Sequence, residues 1–528
     1  MTRIDAFSSP FLPRQRLALS LLTAVLWWTS QLQSGLFALG WIALLPFFVS
    51  LRGLDARARW RHGWRAGWLC YALLNWWIWP TVTRAAPAIG LPNIAGFFLG
   101  LLAVTLIALI HGSFVSLVAL AWNSDWPLFK RAPWILPIWV AAVWAALDAL
   151  RCETQLAHGW GALAYTQWRD TALLQSASVV GQHGLTALCV WFAASLALWL
   201  QIGAQHGSAM LWRAPIGVWV LLHLIGAWRL QQTPLAQSPE DSLRVLLVQT
   251  NVVSLHKNSG EGESALDQAI RLTRAGMKNA SQNSDGRFDL IVWPETTVAA
   301  GRLPSESIRP SADGHPEFRV PAEGRADTFA GSLQMAMALR LAREWKTPLL
   351  FGANGTAQNA SGGADLVNAA VLLEPDGRVQ FQAKMRLVPF GERASYNEWL
   401  PFLRRLAPDP ELAPATQSRP LILHRASGDV PLATIICFES GFPFPARGGV
   451  RNGARALFVL TNDEWFNGTD APWEHAAMLA VRAAENGVAT AQSANGGLSA
   501  AVDPQGRFMI KGMGGAIGTG DVRLPLAP

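Results

Sequence analysis

Cys437, Glu295 and Lys384 stand out in this 528-residue sequence because each ends an apolar run. Cys437 closes PLATIIC at 431–437 and is followed by Phe438-Glu439; Glu295 follows FDLIVW as Trp293-Pro294-Glu295; Lys384 follows residues 378–383. A lone cysteine is usually a small hydrophobe, and a charge after a strand is usually a solvated loop residue. Thiol, carboxylate and amine at three strand ends carry more weight together, because strand ends in layered α/β domains gather at one edge, where sites form. Their chemistry is complementary. A thiol with a pKa of roughly 8.5 is mostly protonated at neutral pH and needs a base or a positive neighbour. Glu295 can take that proton and return it to a leaving group. Lys384, with the backbone N–H after Cys437, can stabilise a thiolate and a tetrahedral oxyanion. The expectation is acyl transfer at a carbonyl through a Cys437 thioester, with no histidine required. Glu392 and Glu439 offer further carboxylates to orient Lys384 or an attacking amine. Cys70, Cys152 and Cys189 fall in or beside apolar segments, and four cysteines cannot form a disulfide framework for this length. Without Cys/His ligand spacing or a Gly-rich phosphate loop, the sequence predicts no metal and no cofactor.

The elements that must position these residues occupy only half of the chain. Residues 242–528 alternate apolar runs with helical patterns, which predicts an α/β layered domain. Strands are expected at 243–249, 288–293, 348–352, 368–373, 378–384, 431–437, 455–461 and 488–493, and helices near 263–279, 326–345 and 471–486. Phe329, Leu333, Met337 and Leu341 recur at i+4 and mark one buried helix face. Glu374-Pro375-Asp376-Gly377 and Asp503-Pro504-Gln505-Gly506 are turns between strand pairs. Residues 232–241 form a polar, Pro-containing linker.

Residues 1–231 read instead as an all-α membrane bundle of about seven spans, at 16–31, 34–51, 64–80, 93–122, 132–150, 183–203 and 210–229. Charge divides in the same place. Residues 1–230 hold 15 Lys+Arg against 6 Asp+Glu, and the remainder holds 28 against 30. The basic excess is therefore membrane-orienting arginine, which excludes a nucleic-acid partner. Arg3, Arg14 and Arg16 precede the first span, and Arg52, Arg57, Arg59, Arg61 and Arg65 join the second and third. Positive charge inside puts the N-terminus in the cytoplasm and, after seven crossings, the second half outside. His111 and Asp148 read as packing or helix-end groups without a partner at helical spacing. Spans lacking paired charges also argue against a transporter. Trp76-Trp77-Ile78-Trp79-Pro80 reads as an interfacial belt.

Taken in order, WPET at 293–296, Lys384-Met385-Arg386-Leu387-Val388-Pro389-Phe390-Gly391-Glu392 and ICFE at 436–439 resemble the Glu-Lys-Cys signature of the nitrilase (carbon-nitrogen hydrolase) superfamily. With a bundle in front, the chain is similar to the membrane-bound branch of that superfamily, the apolipoprotein N-acyltransferases. Thr461-Asn462-Asp463-Glu464-Trp465-Phe466, Pro472-Trp473-Glu474-His475, Arg482-Ala483-Ala484-Glu485, Ser493-Ala494-Asn495-Gly496-Gly497 and Leu147-Asp148-Ala149-Leu150-Arg151 extend the match. The resemblance implies an αββα sandwich facing the periplasm of a bacterial inner membrane. It also implies a transfer from a membrane phospholipid, through Cys437, to the α-amine of a diacylglyceryl-cysteine apolipoprotein. Glu295, Lys384 and Cys437 match its triad, and Glu392, Glu439 and Asn368 match supporting positions. The apolar loop Trp399-Leu400-Pro401-Phe402-Leu403 reads as a lid at the membrane surface or as a plain packed loop.

Departures concentrate on the acceptor side. His256 and Lys257 stand where the family carries Trp, Phe438 replaces Tyr, Glu464 occupies a small-residue position, and the sequence reaches Pro528 without a further membrane helix. Phe438 and Glu464 are accordingly the acceptor-side candidates. Two rival readings stay open: a membrane-anchored amidase or acyltransferase with another amine acceptor, and a non-catalytic lipid-binding relative.

Overall fold

The computed structural model describes residues 11–32, 35–154, 157–203, 209–232, 240–253, 263–283, 286–303, 307–310, 316–319, 332–359, 363–394, 410–510 and 517–528. Most of the 232–241 linker, His256, Lys257, the 399–403 loop and the start of the 326–345 helix lie outside them. The chain divides into two compact units: Met1–Thr233 with Gly468–Val481, and Pro234–Asn467 with Arg482–Pro528. Gly468–Val481, expected within the second half, thus groups with the first.

The first unit is helical. Four of its described helices are long and apolar enough to cross a membrane: Asn93–Ala121, Ile135–Glu153, Ala177–Ile202 and Met210–Gln232. Helices Pro13–Gln31 and Ala56–Leu74 have comparable length but carry arginines, Arg14 and Arg16 in one and Arg57, Arg59, Arg61 and Arg65 in the other. Residues 34–51, expected as one span, hold a 3₁₀ turn at Phe37–Trp41 and a short helix at Leu45–Ser50. Pro46 in the first turn of that helix suits a fresh start rather than a continued one. The expected 64–80 span ends at Leu74, and a separate helix, Ile78–Ala85, follows. Helices Ala56–Leu74 and Asn93–Ala121 meet so closely that a Cβ on Gly67 would lie 2.8 Å from the Gly112 Cα. Small residues at such crossings let backbones approach where lipid supplies no hydrophobic drive.

Two sequence expectations change here. Asp148 does have a partner at helical spacing: Arg151, three residues on, donates from Nε at 2.8 Å, and His183 Nδ1 lies 2.7 Å from the other oxygen. Arg151 also donates to the His158 and Trp160 carbonyls at 2.6 and 3.1 Å. The apolar helices therefore do carry a paired charge, contrary to the sequence expectation. Trp77 is buried, its ring 5.2 Å from that of Trp160, so it is a packing residue rather than part of a belt. His111 is buried between the Tyr71 and His158 rings, 4.9 and 5.4 Å away, as a packing contact.

The second unit is a sandwich of two sheets. The first is ordered β15-β1-β2-β6-β7-β8, with β3 also on β6. Its strands are β1 (Ser242–Gln249), β2 (Leu290–Val292), β3 (Val298–Arg302), β6 (Leu349–Gln358), β7 (Ala364–Leu373), β8 (Val379–Ala383) and β15 (Gly518–Pro525). The second runs β14-β13-β12-β11-β10-β9. It comprises β9 (Leu421–Leu423), β10 (Val430–Ile436), β11 (Ala456–Asn462), β12 (Ala489–Asn495), β13 (Ala500–Val502) and β14 (Phe508–Ile510). A separate hairpin joins β4 (Ser307–Pro310) and β5 (Pro316–Arg319).

Period-2 alternation divides each strand between two cores. From β1, Leu246 and Val248 join Met335, Ala338 and Leu272 of helices Leu333–Trp345 and Ala265–Asn283. Leu243, Val245 and Leu247 join Ile436, Phe458 and Leu460 of the facing sheet. On that sheet, Gly449 of helix Pro443–Arg451 lies against Ala433 of β10. The layers are therefore αββα. All eight expected strands appear, with ends shifted by a few residues. The unforeseen strands are mainly short or at edges. β15 contains Gly518, Gly520, Asp521 and Pro525 and is a strand because it pairs along the whole of β1.

Candidate active site

The turn after β2 carries Glu295. It lies against Gly352 of β6, where any Cβ would collide with the Glu295 backbone. Gly352 N–H donates to the Pro294 carbonyl at 3.0 Å, and Thr297 N–H donates to the Gly352 carbonyl at 2.9 Å. Lys384 follows β8, its own N–H continuing the ladder to the Asn368 carbonyl of β7 at 2.8 Å. The two side chains converge. Asn368 Nδ2 donates to Glu295 Oε1 at 2.7 Å, and Lys384 Nζ approaches the same oxygen at 3.4 Å. Nζ also donates to Glu392 Oε1 at 2.8 Å, while Val388 N–H donates to Glu392 Oε2 at 2.8 Å. Lys384 is 1% exposed.

Cys437 follows β10 at φ 50° and is 9% exposed. Of four described non-glycine residues at positive φ, three belong here: Thr296 beside Glu295, Phe390 before Gly391-Glu392, and Cys437 itself. Such strain costs roughly 1–3 kcal/mol per residue and clusters where a side chain must be aimed. Glu439 fastens the turn. Its Oε1 accepts from the Met385 and Arg386 N–H groups at 2.6 and 2.9 Å, and its Oε2 accepts from Ile436 N–H at 2.7 Å. One buried carboxylate thereby ties the Cys437 turn to the segment after Lys384.

Electrostatics set the resting state. Burial, then the Glu295 charge, push the Cys437 thiol far above its ordinary range, with Lys384 pulling the other way. Burial works against the Lys384 charge, but Glu392 and Glu295 outweigh it and raise the ammonium well above its usual value. Glu439 is pushed up to about 7, chiefly by burial, against the pull of its backbone donors. A neutral thiol beside an acceptor carboxylate and a fixed ammonium suits proton transfer at the moment of attack rather than a standing thiolate.

Phe438 is half-buried, its ring 5.0 Å from Phe442. Glu464 is half-buried in the 3₁₀ turn Asp463–Phe466, where a Cβ on Gly496 would come within 2.7 Å of its Cα. The sequence reading assigned nothing to its neighbours Thr461 and Asp463. Both are fully buried; the Asp463 charge pushes the Cys437 thiol up, and a hydrogen bond with the Thr461 hydroxyl pulls it down. The available signal was positional: Thr461 comes at the end of an apolar run, as Glu295, Lys384 and Cys437 do. Among the described residues no group of His, Cys, Asp and Glu is arranged to hold a metal.

Residues 23–195 match the apolipoprotein N-acyltransferase N-terminal domain family, and residues 245–527 match the carbon-nitrogen hydrolase family. The apolipoprotein N-acyltransferase of Chlorobaculum tepidum is 30% identical over 497 residues, covering 89% of this chain and 82% of that protein. That of Geobacter metallireducens is 28% identical over 527 residues, covering 97% and 90%. Among solved structures, an amidase of the nitrilase superfamily from Nesterenkonia aligns with 55% of this chain and 94% of its own, at 20% identity and a TM-score of 0.34.

Proposed function

The chain belongs to the apolipoprotein N-acyltransferase family, and from that premise we propose that it relays a fatty acyl chain from a membrane phospholipid, through Cys437, to the N-terminal amine of a diacylglyceryl-cysteine apolipoprotein. The observation that supports this most is the single hydrogen-bonded set of Asn368, Glu295, Lys384 and Glu392, whose charges act on a buried thiol at a strained backbone position.

In the first half-reaction the Cys437 sulfur attacks the ester carbonyl as its proton passes to Glu295. Lys384 and the N–H after Cys437 face the developing oxyanion. Collapse breaks the ester C–O bond, and Glu295 returns the proton to the departing lysophospholipid oxygen. In the second, the amine attacks the thioester, gives a proton to Glu295, and the sulfur leaves to recover it. Asn368 and Glu392 hold Glu295 and Lys384 in place, and Glu439 holds the turn that bears Cys437. Phe438 and Glu464 serve the acceptor, with Glu464 as local base: an α-amine of pKa roughly 7.7–8.0 needs little help to deprotonate.

The membrane association of the family suits a helical first unit with four apolar helices long enough to span. The arginine asymmetry supports a multi-pass bacterial inner-membrane protein with seven crossings, a cytoplasmic N-terminus and a periplasmic catalytic domain. Reporter fusions after Arg61 and after Pro234 should read cytoplasmic and periplasmic; the same side for both removes that topology. The central experiment is mass spectrometry of the Cys437 peptide after incubation with phospholipid. An acyl adduct that a diacylglyceryl peptide discharges is expected. Ammonia release from amides without such an adduct would favour the amidase, and an inert Cys437 would favour a lipid-binding relative.

A further inference from the structure

β10, β11 and β12 run parallel, with Ile436 paired to Leu460, Leu460 to Ser493 and Asn462 to Asn495. Cys437, Asn462 and Asn495 therefore come at the same edge of that sheet. Asn495 is also where β1 of the other sheet reaches this edge, through a parallel bridge to Thr250. Asn495 is buried, and its amide uses all four of its hydrogen-bonding positions. Oδ1 accepts from the Thr250 hydroxyl and from Val252 N–H, both at 2.8 Å. Nδ2 donates to the Val252 carbonyl and to Asn462 Oδ1, both at 2.8 Å. A backbone N–H can only donate and a carbonyl can only accept, so Val252 fixes which way the Asn495 amide faces. Asn462 is thereby obliged to present its oxygen.

Asn495 leads into Gly496 and Gly497, at φ 66° and 60°. Their backbone is fastened from the other sheet: Gly496 N–H donates to the Thr250 carbonyl at 2.7 Å, and Gln249 Nε2 donates to the Gly497 carbonyl at 3.1 Å. Against this turn lie Asp463 and Glu464. A Cβ on Gly496 would stand 2.7 Å from the Glu464 Cα, 2.8 Å from its N and 2.9 Å from its Cβ, and a Cβ on Gly497 would collide with the Asp463 side chain. Glu464 is thus held twice: through Asn462, two residues before it, and by direct contact with Gly496.

We propose that Asn495 and Gly496 are positioning residues for the second half-reaction, which set Glu464 for the acceptor amine at the edge that bears Cys437. A base serves an attacking amine only within hydrogen-bond reach, roughly 2.6–3.2 Å, so a small displacement of the Glu464 backbone is felt at that step. A methyl group on Gly496 cannot be absorbed by the glycine turn, whose own backbone is bonded to β1, and must be taken up by Glu464. Asn495→Asp keeps the size and the accepting oxygen but removes both donors, so the Val252 carbonyl and Asn462 lose the bonds that order them. Glu295, Lys384 and the Cys437 turn are fastened separately, by Asn368, Glu392 and Glu439.

The inference rests on the acyl relay through Cys437 and on Glu464 serving the acceptor, and the test separates their failures. Full-length protein in detergent is incubated with phospholipid, and the rate of Cys437 acylation is followed by peptide mass spectrometry. The preloaded thioester is then discharged with a diacylglyceryl peptide and sampled by rapid quench. Gly496→Ala should slow discharge several-fold, as far as Glu464→Ala does, and leave the rate of acylation as it is. Gly496→Ala combined with Glu464→Ala should be no slower than Glu464→Ala alone, because residues that act through one another are not additive. A merely structural role would slow both half-reactions or add its loss to that of Glu464→Ala. Either result, or unchanged discharge in Gly496→Ala, overturns the proposal. Should Gly496→Ala fail to fold, Asn495→Asp takes its place in the same comparison. Unchanged discharge in Glu464→Ala overturns the proposal together with the base role and leaves the relay standing. Failure of phospholipid to acylate wild-type Cys437 removes the relay itself, and the proposal with it.

Discussion

The two units each bury a cation among acids, and the two clusters are built differently. In the helical unit Arg151 meets Asp148, and its remaining recorded bonds go to the His158 and Trp160 carbonyls. The charges balance, and the guanidinium ties the helix to the segment that follows it. In the sandwich Lys384 faces Glu392 and Glu295 at once, beside a thiol and within reach of backbone at positive φ. Burial and ion pairing are common to both. What separates them is the surplus of acid around one cation, the neighbouring thiol and the strain. A balanced buried pair is structural by default, whereas an unbalanced one needs a proton or a substrate to complete it.

The sharpest way to break this contrast is at Cys437, the proposed nucleophile. Cys437→Ser should lower acyl transfer by at least about 10³-fold with melting temperature unchanged, because a serine hydroxyl is far less acidic than a thiol. Glu295→Gln should follow at roughly 10²–10⁴-fold, the usual worth of a general acid–base. Activity retained in purified Cys437→Ala enzyme would end the contrast.

Asp148→Asn should do the reverse. Leaving Arg151 buried with half a partner should cost about 3–5 kcal/mol of stability, seen as a lower melting temperature. Thioester formation per folded molecule should stay as it is. A slowed chemical step without a change in melting would make the Arg151 cluster functional after all.

Glu439 allows a finer test, through pH. Its carboxyl is raised from the ordinary 4.5 to about 7 in the fold. Folding therefore takes up a proton between those values, and the stability this group contributes is fully present below about 4.5 and lost as pH rises through about 7. Glu439→Gln should flatten the decline in melting temperature between acidic and mildly alkaline pH, and should cost activity because one of its two terminal atoms is an NH2, so it cannot accept from the Met385 and Arg386 N–H groups and from Ile436 N–H at once. An identical pH dependence in both proteins would assign the proton elsewhere. The smallest effect is expected at the acceptor: Glu464→Ala should slow discharge of a preformed thioester several-fold, within the range of a weak general base, and spare its formation. Faster discharge would make Glu464 a brake.

The contrast also governs what could be read from residue order. Glu295, Lys384 and Cys437 were legible because each is an unlike residue at the end of an apolar run, and strand ends converge in a layered fold. Thr461 and Asp463 were not, since a hydroxyl and a carboxylate after a strand look like ordinary turn chemistry until β10 and β11, parallel and pairing Ile436 with Leu460, bring their following residues to the same end. The Arg151 partnership is local, at i+3, but an Asp and an Arg closing an apolar run look equally like an ordinary helix end. β15 was illegible for another reason: its Gly-rich sequence, ending in proline, has no strand preference of its own and takes its conformation from β1.

The division of the chain into units bears on biosynthesis. Met1–Thr233 leaves the ribosome first, yet Gly468–Val481 belongs to the same compact unit, and within it the His475 ring lies 5.5 Å from the Trp160 ring, tilted by 40°. The polypeptide passes between the units three times rather than once. The helical unit therefore waits, incomplete, until most of the sandwich has been translated, and a fragment beginning at Pro234 would carry Gly468–Val481 without the residues it packs on. Assembly of the two halves is coupled by the order of synthesis: the helical unit is completed at Val481, and the sandwich closes last, with Arg482–Pro528.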